Sequence, residues 1–444
     1  MRNLRDMQIP RNIEKIYVVL SMLFLGSGLI PRTADEGDTV AQILQGPADK
    51  YGQLVVYALL VPLLLFNWKR IAHGLRHSGW IVALCGLVLA SALWSFNWRF
   101  TAQRGLLLTA MTLFGIYIAT CFDWDEQLNL FGWLSVVAVF GSAFMAVFVP
   151  TYGLSHDLHQ GAVKGLFSHK NMLGRQMAFA VLTMWLARPK SIPGWLRVAT
   201  VAGGLLLLAL SNAITALLSF LLCVAIYPVI YLVRLRRRNT LPLWIPLVPL
   251  FAMVLFGVYA NYGTILQAAG RSATLTGRTA IWHATESAIA NRLWLGYGHD
   301  VFWNRWNMDL AKVNYMLGFR PPHAHNGYLD ILLSIGVIGL LVFLAGFVAA
   351  FLRAVRLFKA DDINGARWPL LILIFIAAFN MGESSMFRQF SFLWIPYVSI
   401  YVSLAMMMAE ARVRAFVETP VPGSTSYSRD EERGNPGILP DYSV

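Results

Sequence analysis

Two histidines and an asparagine stand directly before a long apolar stretch of this chain. His323, His325 and Asn326 belong to the sequence Arg-Pro-Pro-His-Ala-His-Asn-Gly-Tyr-Leu-Asp at 320–330, and the apolar run 331–352 follows it. Histidine exchanges protons near neutral pH, so it is a natural general base. Polar side chains beside an apolar run of this length are costly unless they have a task there. The pattern alone leaves His325 open as a base or as a hydrogen-bonded interfacial histidine.

A second polar group stands upstream, where Leu-Thr-Gly-Arg-Thr-Ala-Ile-Trp at 275–282 opens a helical pattern that runs to about Asn291. Thr276 or Thr279 is suited to cap this helix. Arg278 would then lie beside free backbone N–H groups and the positive end of the helix dipole, which suits a phosphate or pyrophosphate. The alternative is a capped helix with a solvated arginine.

Further polar residues interrupt apolar sequence at three other places, and we expect all of them on the same membrane face. Together they predict a polar cavity on the extracytoplasmic side. They are the helix start with Ser168, His169, Lys170, Asn171 and Arg175, the helix end with Glu383 and Arg388, and the turn with Arg99 and Arg104.

The composition indicates what must position these groups. Hydrophobic residues make up 57% of the 444 residues and charged residues 13%, and the mean hydropathy is +0.56. Such values are typical of a polytopic membrane protein, in which each spanning helix needs roughly 20 apolar residues. We therefore predict an all-α bundle of about 12 transmembrane helices. The predicted spans are about 14–31, 51–67, 79–96, 103–121, 128–150, 171–187, 197–211, 213–233, 241–260, 326–352, 368–382 and 391–410.

The basic residues orient the bundle and account for the net charge of +13. They gather in alternate loops, which the positive-inside rule assigns to the cytoplasm together with both termini. The long loop 261–325, between the ninth and tenth predicted helices, is then extracytoplasmic, and loops of this length usually carry function. Residues 1–410 form the predicted bundle, and the composition of 411–444 predicts a disordered cytoplasmic tail. No basic patch indicates nucleic-acid binding.

Other groups that could hold a metal give weaker signals. Cys85, Cys121 and Cys223 lie in or beside apolar segments, and their spacing excludes a cysteine metal site. Asp123 and Asp125 form an Asp-x-Asp triplet that could bind a metal with a nucleotide-sugar, but we place it in a cytoplasmic loop and interpret it as solvated. We therefore expect no metal and no cofactor.

The second half of the chain contains an ordered set of short motifs. They are Ala-Thr-Leu-Thr-Gly-Arg at 273–278, Gly-Tyr-Gly at 296–298, Phe-Trp at 302–303, His-Ala-His-Asn-Gly-Tyr-Leu at 323–329 and Gly-Val-Ile-Gly-Leu at 336–340. This set resembles the O-antigen ligase/polymerase superfamily, and within it the exopolysaccharide polymerase (ExoQ-like) branch. Ser-His-Lys-Asn at 168–171 and Gly-Glu-Ser at 382–384 are also similar to that branch, so the resembling core spans about 165–390.

The resemblance implies an inverting, metal-independent glycosyltransferase of the bacterial inner membrane. Its donor would be an undecaprenyl-pyrophosphate-linked oligosaccharide on the periplasmic face, and its acceptor would be a sugar hydroxyl. That hydroxyl belongs to another carrier-linked chain in polymerases and to lipid A-core in ligases, and the motifs favour a polymerase. A flippase and chain-length or export proteins are candidate further partners.

The same resemblance assigns roles to residues of this sequence. His325 would be the base, and the positive helix end would keep it neutral. Glu383 would orient a histidine or the acceptor hydroxyl. Arg278 would hold the pyrophosphate, and His323 is either a second polar contact or a helix-entry residue. The other predicted substrate-binding residues are His169, Lys170, Asn171, Arg175, Arg104, Asn326 and Arg388.

One departure from the family pattern matters. Relatives commonly have a Ser-x-Ser-Arg-Thr-like turn between two central helices, whereas this chain has Leu-Ser-Asn-Ala-Ile-Thr-Ala at 210–216, without arginine. Lys170, Arg175 or Arg104 could supply the missing phosphate contact. Two other classes of function also stay open, a transporter or flippase and a non-catalytic assembly factor, because polar helix ends also occur in transporters.

Overall fold

The computed structural model describes most of the chain as helix. The described residues are 10–27, 47–155, 161–234, 278–304, 307–360, 365–388 and 391–418. The predicted span 241–260, the possible cap Thr276 and the predicted tail beyond 418 lie outside them. Within the described ranges there is no β-strand, and the one isolated β-bridge joins Leu154 and Val163.

The helices of the N-terminal half surround the start of α8. Among the described residues, α6 packs against α1 and α8, and α8 also contacts α9 and α10. The helices are α1 Arg11–Ser27, α2 Pro47–Phe66, α3 Trp68–Arg76, α4 Gly79–Ala90, α5 Trp98–Cys121, α6 Trp124–Phe148, the single turn α7 Pro150–Gly153, α8 Lys170–Leu182, α9 Gly194–Leu210 and α10 Ile214–Arg234.

The C-terminal half supplies the helices that flank the two histidines and the glutamate. Of these, α13 packs against α14, α4 and α11, and α14 packs against α10. The helices are α11 Arg278–Asn291, α12 Met308–Leu317, α13 Gly327–Ala360, α14 Arg367–Gly382 and α15 Trp394–Glu418. Helix α15 continues to Glu418, past the predicted start of the tail at 411.

Five described helices are long and apolar enough to cross a membrane. They are Trp98–Cys121, Trp124–Phe148, Ile214–Tyr231, Gly327–Lys359 and Trp394–Val413, and the bent pair Tyr51–Phe66 and Trp68–Arg76 could form a sixth span. Shorter apolar helices cover Gly79–Leu93, Gly194–Leu210 and Arg367–Gly382. The all-helical membrane architecture is therefore confirmed, whereas the number of about 12 spans stays a prediction.

The sequence explains several helix boundaries. Asp123 and Glu126 form a capping box at the start of α6, in which each side chain accepts from the other residue's backbone N–H. This gives the Asp-x-Asp triplet a local structural role. Asn212 has a φ of 50°, a left-handed conformation that asparagine tolerates, and it separates α9 from α10 at the predicted break.

Helix α13 is broken inside the apolar run, and a loop fills the break. Ile335 and Gly336 leave helical geometry, and Gly336 has a φ of 66° and lies so close to Trp294 that a side chain would not fit. The N–H groups of Tyr297 and Gly298 donate to the carbonyls of Leu333 and Ser334. The loop thus satisfies backbone groups that the broken helix leaves unpaired, as burial at this depth requires.

Candidate active site

Three of the predicted polar segments line one cavity of about 100 Å³. The first is the start of α8, the second lies before α13 and the third follows α14. The lining residues are His169, Asn171, Met172, Arg175, Pro322, His323, His325, Phe379, Glu383, Ser384, Ser385, Arg388 and Ser391. Seven of the predicted site residues are therefore in this lining, although they come from distant parts of the sequence.

Glu383 is buried at the centre of the polar network. Its Oε1 accepts from Arg278 Nη2 at 2.5 Å and from Asn171 Nδ2 at 2.6 Å. Its Oε2 lies 3.4 Å from His325 Nδ1. One carboxylate thus joins the starts of α8 and α11 to the histidine before α13.

The surrounding cations determine the ionisation of Glu383. Burial by itself raises the pKa of this carboxyl group. The hydrogen bond and charge of His325, followed by the charges of Arg278 and His169, outweigh burial and lower the pKa to about 2. Glu383 is therefore a carboxylate at neutral pH and acts as an acceptor.

The contact with Glu383 indicates which nitrogen of His325 carries the proton. A carboxylate only accepts hydrogen bonds, so in the neutral form of His325 we infer the proton at Nδ1, which leaves the lone pair of Nε2 available. A glutamate that orients a histidine in this way has the geometry of a general base with its orienting group. His325 can therefore accept a proton through Nε2.

From the sequence we expected His325 in the first turn of its helix, but it lies outside that helix. Helix α13 begins at Gly327, and Asn326 precedes it as the cap, because Asn326 Oδ1 accepts from the N–H groups of Tyr328 and Leu329 at 3.0 and 3.3 Å. His325 stands before this cap with a φ of 50°. Asparagine is a preferred capping residue, so it takes that position and leaves the histidine outside the helix.

The other two histidines of the cavity have the opposite tautomer. His323 Nδ1 accepts from the backbone N–H of His325 at 3.1 Å, and His169 Nδ1 accepts from that of Asn171 at 3.2 Å. When neutral, both rings must carry their proton on Nε2 and can donate from it. Burial, followed by the charges of His325, Arg388 and Arg278, lowers the pKa of His323 well below its ordinary value of 6.5.

Close packing between the start of α13 and the end of α14 brings the histidine and the glutamate together. A Cβ at Gly327 would lie 2.4 Å from Asn380 Oδ1, so only glycine permits this approach. Trp282 Nε1, on α11, donates to the carbonyl of Ala324 at 2.9 Å and holds the segment between the two histidines. Three helices therefore determine where His325 lies.

Arg278 is the first residue of α11 that the structure describes, and the sequence predicted it near the start of this helix. Its guanidinium contacts Glu383, and its Nη1 donates to Thr215 Oγ1 at 2.9 Å. Thr215 belongs to the turn that lacks the family's arginine, so this turn reaches the site through its threonine. Arg278 lies behind Glu383 and does not line the cavity itself.

Arg175 and Lys170 are both buried on α8. Arg175 lines the cavity, its Nη2 donates to the carbonyl of Gly26 at 3.0 Å, and its buried Nε has no hydrogen-bond partner among the described residues. Three residues were predicted to replace the missing arginine, and of these Arg175 is the one that lines this cavity. Lys170, at the first position of α8, is not part of the lining.

Arg104 lies in a different, much smaller cavity of about 10 Å³. Its Nε is 3.5 Å from Asp300 Oδ2, and buried His299 also lines this space. Burial lowers the pKa of His299 to about 4, so this histidine is neutral. Arg388 lines both cavities and is the residue they share with each other.

Some residues of the site gave no separate signal in the sequence. Thr215, Trp282 and Ser391 have ordinary neighbours and spacing, and only the tertiary structure brings them to the histidines. Asn326, by contrast, was predicted to bind substrate, whereas the structure shows its side-chain oxygen capping α13.

A metal ion would find three possible ligands here. The ligand atoms of His323, His325 and Glu383 all lie within 4.8 Å of one another. However, Oε1 of Glu383 already accepts from Arg278 and Asn171, and Arg175 and Arg388 add positive charge to the lining. Cations in these positions attract an anion and repel a metal ion.

The fold and the cavity define an all-helical membrane protein with a histidine–glutamate pair among buried arginines. The O-Antigen ligase family matches this chain over residues 198–344. The chain is also 23% identical over 359 residues to the exopolysaccharide production protein ExoQ of Rhizobium meliloti (strain 1021), which covers 74% of this chain and 79% of the relative. These matches confirm the resemblance to the O-antigen ligase superfamily and its ExoQ-like members.

Proposed function

We propose that this protein is a membrane glycosyltransferase that polymerises oligosaccharide units carried on a lipid pyrophosphate. The donor is an undecaprenyl-pyrophosphate-linked glycan, and the acceptor is a sugar hydroxyl of a second carrier-linked chain. The reaction takes place on the periplasmic face of a bacterial inner membrane, and both termini lie in the cytoplasm. The observation that carries the proposal is the contact of Glu383 with both His325 and Arg278 at one cavity.

The proposed chemistry is a single displacement that needs no covalent enzyme intermediate. Nε2 of His325 takes the proton from the acceptor hydroxyl as its oxygen attacks the anomeric carbon of the donor. The bond between that carbon and the pyrophosphate oxygen breaks, and the electron pair leaves with the pyrophosphate. Glu383 stabilises the imidazolium that forms, and the configuration at the anomeric carbon inverts.

The arginines would stabilise the leaving group. Arg175 and Arg388 line the cavity, and Arg278 stands directly behind Glu383. A guanidinium bonds two phosphate oxygens with its planar fork, which suits it to a pyrophosphate. His323 and His169 could each donate from Nε2 to the same oxygens or to the sugar. These roles explain why the cations of the lining outnumber its carboxylate.

A ligase is the second candidate function, because the matching family is described as O-Antigen ligase. A ligase would use the same donor and the same base but a different acceptor, lipid A-core. The printed name of the matching relative, an exopolysaccharide production protein, favours the polymerase. Chemistry at the cavity does not distinguish the two, since the acceptor contributes only a hydroxyl.

A complementation experiment tests both the chemistry and the acceptor. A deletion strain would receive wild-type protein, His325→Ala or the matched control His283→Ala at equal expression, and surface polymer and carrier-linked intermediates would be separated by size. His283 is an exposed histidine on α11, paired with Glu286, and it lies outside the cavity. We expect loss of polymer for His325→Ala and a normal profile for the control.

The intermediates then identify the reaction. Single repeat units on the carrier support a polymerase, whereas long chains that stay on the carrier support a ligase. A normal profile for His325→Ala would contradict the base mechanism and return a transporter or assembly factor to consideration.

A further inference from the structure

A short basic helix, none of whose residues lines the candidate active site, connects two apolar helices. Helix α3 has the sequence Trp-Lys-Arg-Ile-Ala-His-Gly-Leu-Arg. Ile71 and Gly74 are its buried residues, and the helix packs against α5. Trp68, Lys69, Arg70, His73 and Arg76 are exposed. The helix therefore has one face fixed on the protein and one basic face directed away from it.

The preceding helix indicates where α3 lies relative to the bilayer. Helix α2 exposes apolar side chains along its length, including Tyr51, Leu54, Leu59 and Leu65, at 52–69% exposure. Such a surface is stable only against lipid tails. Helix α3 is bent by 91° from α2. If α2 crosses the hydrocarbon, α3 runs along the membrane surface at the level of the headgroups.

The charged residues of α3 are all basic. The segment 67–78 contains no aspartate or glutamate. Lys69, Arg70 and Arg76 form no ion pair with any residue in the described part of the chain, whereas exposed Lys190 pairs with Asp125. Trp68 stands at the start of the helix with Lys69 Nζ 5.9 Å from its ring. Tryptophan at headgroup level and lysine or arginine beside it are typical of interfacial helices.

We propose that the exposed face of α3 is a binding site for anionic phospholipid headgroups. The phosphodiester of a lipid such as phosphatidylglycerol would lie against Lys69, Arg70 and Arg76, while Trp68 inserts at the boundary with the acyl chains. Basic residues gain free energy from an anionic membrane surface only within about a Debye length, and α3 holds all three charges at that depth. The site does not depend on the proposed glycosyl transfer.

Lipid titration of the purified full-length protein tests this proposal. Native mass spectrometry in detergent would compare binding of phosphatidylglycerol with that of phosphatidylcholine, for wild type and for Lys69→Gln/Arg70→Gln/Arg76→Gln. We expect wild type to prefer phosphatidylglycerol, and the triple variant to lose at least about tenfold of that affinity. The preference should weaken as salt rises.

A second triple variant distinguishes a specific lipid-binding site from a general effect of the protein's net charge. Arg188→Gln/Lys190→Gln/Arg197→Gln removes the same charge from another region and should keep the preference. A charge-conserving variant, Lys69→Arg/Arg70→Lys/Arg76→Lys, should also keep it, which controls for misfolding. Equal losses in both glutamine variants, or a wild type without preference for the anionic lipid, would overturn the proposal.

Discussion

Glu383 accepts hydrogen bonds from side chains of three separate segments, and its two oxygens serve different partners. Arg278 and Asn171 share one oxygen, and His325 faces the other. Removal of this charge would leave the partly buried Arg278 without its counter-ion. The carboxylate thus contacts the imidazole of His325 and neutralises the arginine at the same time.

Replacement of the carboxylate by an amide should therefore reduce both stability and activity. We expect Glu383→Gln to destabilise the detergent-solubilised protein at pH 7 by about 3 kcal/mol, because it breaks a buried ion pair. Since the pKa of Glu383 is lowered from 4.5 to about 2, the contribution is complete above pH 4.5 and is lost as pH falls toward 2. The difference between wild type and variant should narrow in that window, which SDS titrations at several pH values would measure.

The matched control is Glu286→Gln. Glu286 is an exposed glutamate that pairs with exposed His283, so its loss should change stability little at any pH. A stability difference for Glu383→Gln that stays constant from pH 7 to pH 3 would contradict the lowered pKa.

Arg278→Lys tests whether the planar fork of the guanidinium matters. Lysine keeps the charge, but its single nitrogen cannot reproduce the two directed hydrogen bonds of the planar guanidinium to Glu383 and Thr215. We expect transfer of the lipid-linked glycan to slow by roughly tenfold to a hundredfold, with the protein still folded. Arg292→Lys, at an exposed arginine after α11, is the control and should retain wild-type rates.

Chelation separates the two ways in which His323, His325 and Glu383 could act. If they transfer protons and orient the substrate, EDTA should leave the rate of glycan transfer unchanged within about twofold. If chelation abolishes transfer and a divalent metal restores it, the three side chains are ligands. The measurement needs purified protein and a lipid-linked donor.

At this scale the sequence identified the ionisable groups but not their partners. His325, Glu383 and Arg278 were found because charge and imidazole are conspicuous in apolar sequence. Thr215 and Trp282 were not, because a threonine or a tryptophan near a helix is ordinary and its hydrogen bond depends on tertiary contact. A hydrogen bond between residues more than forty positions apart in the sequence cannot be derived from local spacing.

Among the elements, the start of α13 has the most direct effect on the site. Asn326→Ala should cost about 1 kcal/mol of stability because it removes the acceptor for two backbone N–H groups. It should also reduce transfer, since His325 precedes the cap. Asn326→Ser, which keeps a capping oxygen, should restore most of both, as thermal unfolding and transfer assays would show.

The serine variant also distinguishes capping from substrate binding. If Asn326 contacts the substrate, as the sequence suggested, Asn326→Ser would be stable but would stay inactive. Recovery of both properties together supports the cap that the structure shows.

Helix ends could be predicted where a local sequence signal marks them. Bends and breaks that depend on tertiary packing could not. The break near Ser211 and the start of α11 followed from Asn212 and from the helical pattern after Arg278. The break at Gly336 did not, because it lies inside apolar sequence. The bend of 91° after Phe66 did not either, because the polar sequence that ends the span 51–67 does not indicate the direction of the next helix. Hydropathy indicates which residues are buried in lipid or protein, but it does not indicate the direction in which a helix axis continues.

For the whole molecule, the proposed orientation predicts opposite labelling of two surfaces. Tyr315, at 90% exposure on α12, lies in the long loop that we place in the periplasm. Lys190 lies in a loop that we place in the cytoplasm. In intact inner membranes, an impermeant maleimide should label Tyr315→Cys and should label Lys190→Cys only after lysis.

The native cysteines should add little background labelling to this experiment. Cys85, Cys121 and Cys223 are all buried, so wild type should react little and serves as the background. Labelling of Lys190→Cys without lysis, with Tyr315→Cys protected, would mean that the positive-inside assignment is inverted. Labelling of both without lysis would contradict the assignment of the two positions to opposite sides.

The loop that fills the break in α13 also bears on how the protein is made. Tyr297 and Gly298 are synthesised before Leu333 and Ser334, the residues whose carbonyls they pair with. Until that loop folds onto the nascent helix, the carbonyls of Leu333 and Ser334 and the N–H groups of Val337 and Ile338 lack these partners in an apolar setting. We therefore expect insertion of this span into the bilayer to be coupled to folding of the preceding loop.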